Sequence, residues 1–351
     1  MFESLHFHDH ERVVQVSDAE TGLRAIVAIH STALGPAAGG CRLWQYDRPC
    51  NALDDALRLS RGMSYKNAIA GLPMGGGKAV ILGPVDGEKR DTVFRAFGRA
   101  VDALGGSYIT AEDVGVSESD LRTVAAVTRY VSGITMQQGV GGNPSPFTAK
   151  GVRIGIEASV EHGLGRSDLT GVSIAVQGLG GVGFNLCREL NARGAKLVVA
   201  DIARQRVEEA CDLFGATPAD PTEILTADVD VLAPCALGAV ITADMAGKLR
   251  AKIVAGGANN QLATPDVGKI LQQRGITYAP DYVINAGGII VVTAEYLGTF
   301  DPVGIHRSIE KIGERTRKIL AASKRTGVPS NEVADAMAED IIRKAATKRA
   351  A

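Results

Sequence analysis

The chain of 351 residues contains no run of about 18 apolar residues, so a transmembrane helix is not expected. Residues 1–10 carry neither a basic flank nor an apolar core, and a secretory leader is not expected either. Cysteine is scarce: Cys41, Cys50, Cys187, Cys211 and Cys235 are odd in number and never spaced as CxxC. A disulfide framework or a zinc site does not fit that spacing, whereas a reducing cytoplasm does. An excess of one charge is missing too. The 38 basic and 39 acidic residues leave a net charge of -1, which argues against nucleic acid or a membrane surface as the main partner. The six histidines (His6, His8, His10, His30, His162 and His306) fall outside every motif described below. The alternation His6, His8, His10 reads as a strand face near the terminus rather than as a metal site.

Glycine, by contrast, is abundant, with 42 residues gathered in short clusters. Clustered glycine points to tight turns and to backbone that approaches a ligand closely. The length suffices for two domains with a substantial core. Short alternating strands are predicted over 13–16 and 23–29, a loop over 34–40, helices over 52–70 and 91–104, and a strand over 108–110. The Pro/Gly-rich tract 139–146 reads as an interdomain hinge, with Thr148 as the cap of the helix after it. Strands are predicted again over 172–176, 196–200, 229–232 and 252–255, and late helices over 302–326 and 331–348. The expected fold is α/β with two domains separated by a cleft. An N-terminal α/β substrate and oligomerisation domain spans 1–138 and is joined by the C-terminal helix, about 327–351. A Rossmann dinucleotide-binding domain spans 139–326.

The segment Gly178-Leu-Gly-Gly-Val-Gly183 sits between a predicted strand and a predicted helix, and the next predicted strand ends at Asp201. A lone GxGxxG is weak, but strand, turn, helix, strand and acid in this order form the dinucleotide fingerprint. Gly178 permits the tight turn, Gly180 the approach of a pyrophosphate to a helix N-terminus, and Gly183 helix-on-strand packing. An acid at 201 can accept the ribose hydroxyls and would repel a 2′-phosphate, which favours NAD. Arg204 and Arg206 lie close enough in sequence to keep NADP open.

Lys66 and Lys78 lie in Met63-Ser-Tyr-Lys-Asn-Ala-Ile-Ala-Gly-Leu-Pro-Met-Gly-Gly-Gly-Lys78. Two ammonium groups in one glycine-lined, mostly apolar pocket disfavour each other's charge, and burial adds to this. A lysine so disposed can serve as a general base, while its protonated partner holds a carboxylate. The Gly-Gly-Gly-Lys78 run is not a phosphate loop, because Leu72 and Ala79 stand where a Walker motif needs Gly and Ser or Thr.

The chain resembles the amino acid dehydrogenase superfamily of glutamate, leucine, valine and phenylalanine enzymes over nearly its whole length. The carriers are Gly39-Gly-Cys-Arg42, Tyr65-Lys-Asn67, Leu72-Pro-Met-Gly-Gly-Gly-Lys78, Tyr108-Ile-Thr-Ala-Glu-Asp-Val-Gly115, Gly142-Asn-Pro-Ser-Pro146, Ala233-Pro-Cys-Ala236, Gly257-Ala-Asn-Asn260 and Ala279-Pro-Asp-Tyr-Val-Ile-Asn-Ala-Gly-Gly288. The resemblance implies that Lys66, with backbone near Gly39 and Gly40, binds a substrate α-carboxylate. It implies Lys78 as general base, Asp113 as its acid partner, and Asn259 and Asn285 beside the nicotinamide and the substrate amino group. It further implies a cofactor site of Gly178, Leu179, Gly180, Gly181, Val182, Gly183, Asp201, Ile202, Cys235 and Ala236. A homo-oligomer is implied as well.

Glutamate enzymes of this family carry a lysine directly before the Gly-Gly pair and a serine at the position of Val292; here the first is Ala38. A second substrate carboxylate would be buried without a partner. The pocket expected from Ala38, Met63, Leu72, Ala111, Ile289 and Val292 is apolar. Ala111 resembles leucine enzymes, whereas the small Ala38 enlarges the pocket toward aromatic substrates. The reading is a branched-chain amino acid, with phenylalanine second and tryptophan open. Two alternatives from other classes remain: a 2-hydroxy acid dehydrogenase, which would want a histidine base, and a non-catalytic NAD-binding sensor.

Overall fold

The structure, a computed structural model, describes residues 2–85, 87–134 and 143–350. The chain divides into two compact units. The first comprises Met1–Gly142, Val292–Phe300 and Ala338–Ala351, and the second Asn143–Val291 and Asp301–Met337. Val292–Phe300 thus groups with the first unit, although the sequence reading assigned it to the second. Residues 139–142 of the expected hinge lie outside the described residues.

The first unit is a five-stranded sheet built from β1 (Arg12–Asp18), β2 (Leu23–Ser31), β3 (Ala37–Trp44), β4 (Gly75–Leu82) and β5 (Tyr108–Ala111). The spatial order is β1-β2-β4-β3-β5; β1, β2 and β4 are antiparallel neighbours, and β4, β3 and β5 parallel ones. Helix α1 (Pro49–Ala70) covers one face, and α2 (Arg90–Asp102) and α3 (Glu118–Ala125) cover the other. The two-residue period of a strand sorts the side chains. Ala25, Val27, Ile29, Ala79 and Ile81 join Phe94, Phe97, Leu121 and Val124 on the α2/α3 side. Ile26, Ala28 and Val80 pack with Ala52, Ala56 and Leu57 of α1.

Two local expectations fail here. Residues 37–40, expected as loop, belong to β3. Ala37 and Ala38 are buried, and Gly39 lies so close to β4 that a Cβ would stand 1.8 Å from the Gly77 carbonyl oxygen. Tight strand packing overrides the poor strand propensity of Ala and Gly. The early histidines form no strand face: His10 is buried, Nε2 lies 3.0 Å from the Leu57 carbonyl oxygen, and the ring packs on Phe7 and His30.

The second unit opens with α4 (Ser145–Leu164) and then a six-stranded sheet: β6 (Ser173–Gln177), β7 (Lys196–Ala200), β8 (Thr217–Pro218), β9 (Val231–Pro234), β10 (Ile253–Val254) and β11 (Thr277–Tyr278). The order is β11-β10-β9-β6-β7-β8, and all five pairings are parallel. Read from β8 this is 3-2-1-4-5-6, the doubly wound Rossmann order, whose switch point lies between β6 and β9. The connections are α5 (Gly181–Asn191), α6 (Arg204–Phe214), α7 (Ala243–Lys248) and α8 (Val267–Gln273), followed by α9 (Asp281–Ile284), α10 (Gly287–Tyr296), α11 (Pro302–Thr326) and α12 (Ser330–Ala350), of which α10 from Val292 and α12 from Ala338 count with the first unit. Thr148 does not cap α4. Its hydroxyl donates to the Pro144 carbonyl from within the first turn, while the Asn143 side chain accepts from the Ser145 N–H at 2.9 Å.

Candidate active site

In the first unit α1 ends at Gly71, whose φ of 71° makes the left-handed cap that only glycine adopts cheaply. The Asn67 side chain donates to the Gly75 carbonyl at 2.6 Å and pins the turn between helix and strand. The three glycines that follow are not a loop, because they open β4. A Cβ on Gly75 would stand 2.0 Å from the Ser31 carbonyl oxygen, and one on Gly76 2.0 Å from the Ser64 nitrogen. The helix carrying Lys66 is thereby seated on the strand carrying Lys78. Lys66 is half-buried and Lys78 is 5% exposed.

Strand register determines which side chains share this face. Ala38 pairs with Gly76, and Arg42 with Val80. Ile109 pairs with Ala38, and Ala111 with Gly40. Paired residues and their second neighbours project to one side. Met74, Lys78, Ala38, Arg42, Ile109 and Ala111 therefore share the α1 face, graded along the strands from apolar to charged. The β3–β4 pairing passes from Ala38–Gly76 directly to Cys41–Ala79 and skips Gly39, Gly40, Gly77 and Lys78.

At the charged end Lys78 Nζ lies 2.7 Å from Asp113 Oδ2, and Arg42 Nε lies 3.1 Å from the same oxygen. Arg42 Nη1 reaches Asp55 Oδ2 at 2.7 Å; Tyr46 donates to that oxygen at 2.7 Å, and Arg58 binds Oδ1 at 2.8 Å. The crowding of two ammonium groups expected from sequence is replaced, at Lys78, by an alternation of signs. Burial alone would raise the Asp113 carboxyl, but Lys78 and Arg42 outweigh it and hold the group below its ordinary value. Asp113 does not cap the following helix. Ser117 does, in a capping box with Asp120.

At the apolar end Ala38, Met74 and Ile109 form a buried cluster, against which Leu72, Tyr130 and Tyr296 pack. Met63 lies beside Gly39: its Cγ would stand 3.2 Å from a Cβ there. Of the expected pocket residues, Ala38 and Leu72 are therefore together, with Met63 on α1 beside Gly39 and Ala111 on β5 paired with Gly40. Val292 and Ile289 both lie on α10, Val292 counting with the first unit and Ile289 with the second. The sequence reading missed Met74, Ile109, Tyr130 and Tyr296. Met74 sits inside the glycine motif, and its parity with Lys78 was the available signal.

In the second unit the glycine turn closes β6. Gly178 has φ 91°, and a Cβ there would meet the Cβ of Ala236 at 2.7 Å, so the loops after β6 and β9 touch at the switch point. Gly183 packs on the turn itself, with a Cβ placed 1.9 Å from the Gly178 carbonyl oxygen. Gly180 is different: among the described residues nothing lies within 4 Å of a Cβ there. The helix N-terminus beginning at Gly181-Val182 is thus open to an anion, the arrangement a pyrophosphate requires. Asp201 stands over the turn; Oδ2 accepts from Leu179 N–H at 2.6 Å and Oδ1 from Ala203 N–H at 2.8 Å. Ile202 beside it is 96% exposed. Arg204 is turned to Glu208 at 2.8 Å.

Cys235 is held by a Gly257 N–H at 3.4 Å, and burial pushes its thiol up to about 12. Asn285 donates to Asn259 Oδ1 at 2.8 Å and to the Gly257 carbonyl at 3.2 Å, while its own buried Oδ1 has no hydrogen-bond partner among the described residues. That oxygen keeps an acceptor position to which a ligand N–H could donate. The glycine turn, the acid and this amide pair fit a nicotinamide dinucleotide.

Among known proteins, residues 10–130 match the profile described as "Glu/Leu/Phe/Val dehydrogenase, dimerisation domain", and residues 200–349 match "Glutamate/Leucine/Phenylalanine/Valine dehydrogenase". Leucine dehydrogenase of Geobacillus stearothermophilus is 47% identical over 342 residues, covering 97% of this chain and 93% of the relative. Valine dehydrogenase of Streptomyces virginiae is 45% identical over 333 residues, 94% of this chain and 93% of its own. The crystal structure of L-tryptophan dehydrogenase from Nostoc punctiforme superimposes with a TM-score of 0.86 at 42% identity, covering 98% of this chain and 99% of that one. The chain belongs to the glutamate/leucine/phenylalanine/valine dehydrogenase family of dinucleotide-dependent amino acid oxidoreductases.

Proposed function

We propose that the protein catalyses the reversible, NAD-dependent oxidative deamination of an apolar L-amino acid, of the leucine, valine or isoleucine type, to the 2-oxo acid and ammonia. The observation that carries this reading is the Lys78–Asp113 pair at 2.7 Å, on the same sheet face as the apolar cluster around Ala38. The pair supplies acid–base groups for chemistry at Cα, and the buried cluster at the apolar end consists of Ala38, Met74 and Ile109, none of which can pair with a side-chain carboxylate. The names of the leucine and valine relatives agree with a branched-chain substrate. The tryptophan relative and the small Ala38 support an aromatic substrate as the second reading.

In the proposed mechanism Lys66 holds the α-carboxylate, helped by backbone at Gly39 and Gly40, and so fixes which face of Cα is presented. The glycine turn Gly178–Gly183 and Asp201 would hold the dinucleotide, which would supply the hydride acceptor for Cα. Lys78 withdraws a proton from the water that adds to the oxidised carbon. Asp113 exchanges protons with the departing amino group and remains hydrogen-bonded to Lys78. Asn285 and Asn259 would hold the carboxamide of the cofactor. Asp201, already an acceptor for two N–H groups, takes the ribose hydroxyls, and the pairing of Arg204 with Glu208 supports NAD over NADP. Dimerisation through the first unit and residence in a reducing cytoplasm, where five free thiols persist, complete the reading.

The test is oxidation of NADH in the presence of 4-methyl-2-oxopentanoate with and without ammonium. Turnover that depends on ammonium is expected. Turnover without it would favour a hydroxy acid dehydrogenase, and no turnover with any 2-oxo acid would leave a cofactor-binding sensor.

A further inference from the structure

One oxygen, Asp113 Oδ2, receives both Lys78 Nζ at 2.7 Å and Arg42 Nε at 3.1 Å. A carboxylate shared between two cations binds each less tightly than it would bind either alone. Arg42 is itself held by the second arm of its guanidinium, Nη1, on Asp55, and Asp55 is steadied by Tyr46 and Arg58. Only a planar fork can span two carboxylates in this way. Other titratable groups surround this site. Glu112 next to Asp113 is raised by burial and by the carboxylates around it, whereas Cys41 on β3 and Tyr108 on β5 belong to the core on the opposite, α2/α3 side of the sheet and are pushed up chiefly by burial. Helix α1 contributes Asp55, Arg58 and Lys66. Arg42 is the permanent cation in direct contact with the carboxylate that partners Lys78.

We propose that Arg42, held by Asp55, is a positioning residue for the Lys78–Asp113 pair: it fixes the Asp113 carboxylate and sets how readily Lys78 parts with its proton. The inference rests on the proposed role of Lys78 as base. Its charge bookkeeping gives opposite signs for two neighbouring substitutions. Without the guanidinium, Asp113 belongs to Lys78 alone and the ammonium is held more firmly. Without the Asp55 charge, the guanidinium acts on Asp113 and Lys78 uncompensated, and the ammonium gives up its proton more easily. Tyr46→Phe removes a donor from Asp55, draws Arg42 toward Asp55, and acts in the same sense as loss of Arg42.

The experiment measures the ascending limb of the pH profile of kcat/KM for leucine deamination with NAD in R42Q, R42K, D55N and Y46F. In parallel, the ¹³Cε shift of Lys78 is titrated in the same proteins without ligands, its signal assigned by its loss in Lys78→Gln. The limb and the titration midpoint are expected to move alkaline by about one pH unit in R42Q, less in Y46F, and acid in D55N. R42K should return the midpoint toward wild type while kcat stays low, since a lysine cannot bridge both carboxylates. Unmoved midpoints, or shifts of one sign in R42Q and D55N, overturn the inference, because a purely structural role would change kcat and Tm without separating the two. If R42Q does not unfold cooperatively, D55N and Y46F still differ in sign and carry the test. If the wild type deaminates no amino acid, the proposed function fails, whereas the ¹³Cε midpoints still decide the role of Arg42.

Discussion

The two glycine-rich segments look alike in sequence and differ in what makes them glycine. In β3 and β4 the chain itself forbids a side chain: a Cβ on Gly39, Gly75 or Gly76 would stand within 2.0 Å of backbone atoms. At Gly180 of the nucleotide turn a Cβ would meet nothing within 4 Å among the described residues. Gly76 seats α1 against the strand that carries Lys78, while Gly39 and Gly75 let neighbouring backbone approach, so this set is a packing requirement. Gly180 leaves the N-terminus of α5 uncovered among the described residues, and that is the space the proposed function gives to the pyrophosphate. Gly183, wedged against Gly178, belongs with the packing class although it lies in the nucleotide motif.

The largest effect on that comparison comes from the charged end of the catalytic face. Lys78→Ala is expected to lower kcat by about 10²- to 10⁴-fold, the usual contribution of a positioned acid–base group, with NAD affinity by fluorescence titration unchanged. Gly76→Ala comes next. With a Cβ 2.0 Å from the Ser64 nitrogen, α1 must move, and a loss of about 1–3 kcal/mol with a Tm lower by several degrees is expected in calorimetry. Gly180→Ala should have the smallest effect on the fold, with Tm close to wild type, while the Kd for NAD rises about tenfold as the methyl group meets the pyrophosphate. If Gly76→Ala left Tm unchanged, or Gly180→Ala unfolded the second unit without touching Kd, the distinction between the two segments would be lost.

Much of this arrangement was legible in the sequence because it is local. The dinucleotide turn is one strand, one turn, one helix and one acid within 30 residues, and β6, α5 and β7 form close to their predicted bounds. Lys78 and Asp113, read from two separate motifs, stand 2.7 Å apart. What escaped was tertiary. The strand character of residues 37–40 comes from burial between β4 and β5, which the local run of Ala and Gly does not reveal. The partner of Asp113 in Arg42, and of Arg42 in Asp55, joins residues 71 and 13 positions apart, and only strand register brings them together. Tyr130 and Tyr296 reach the apolar cluster from distant segments, and no spacing rule points to them.

The central claim is that this face handles one carboxylate and an apolar side chain. It is tested most directly by kcat/KM for leucine relative to glutamate with saturating NAD. Burying an unpaired carboxylate against Ala38 costs several kcal/mol, so leucine should be favoured by at least about 100-fold. Equal values, or a preference for glutamate, would contradict the account.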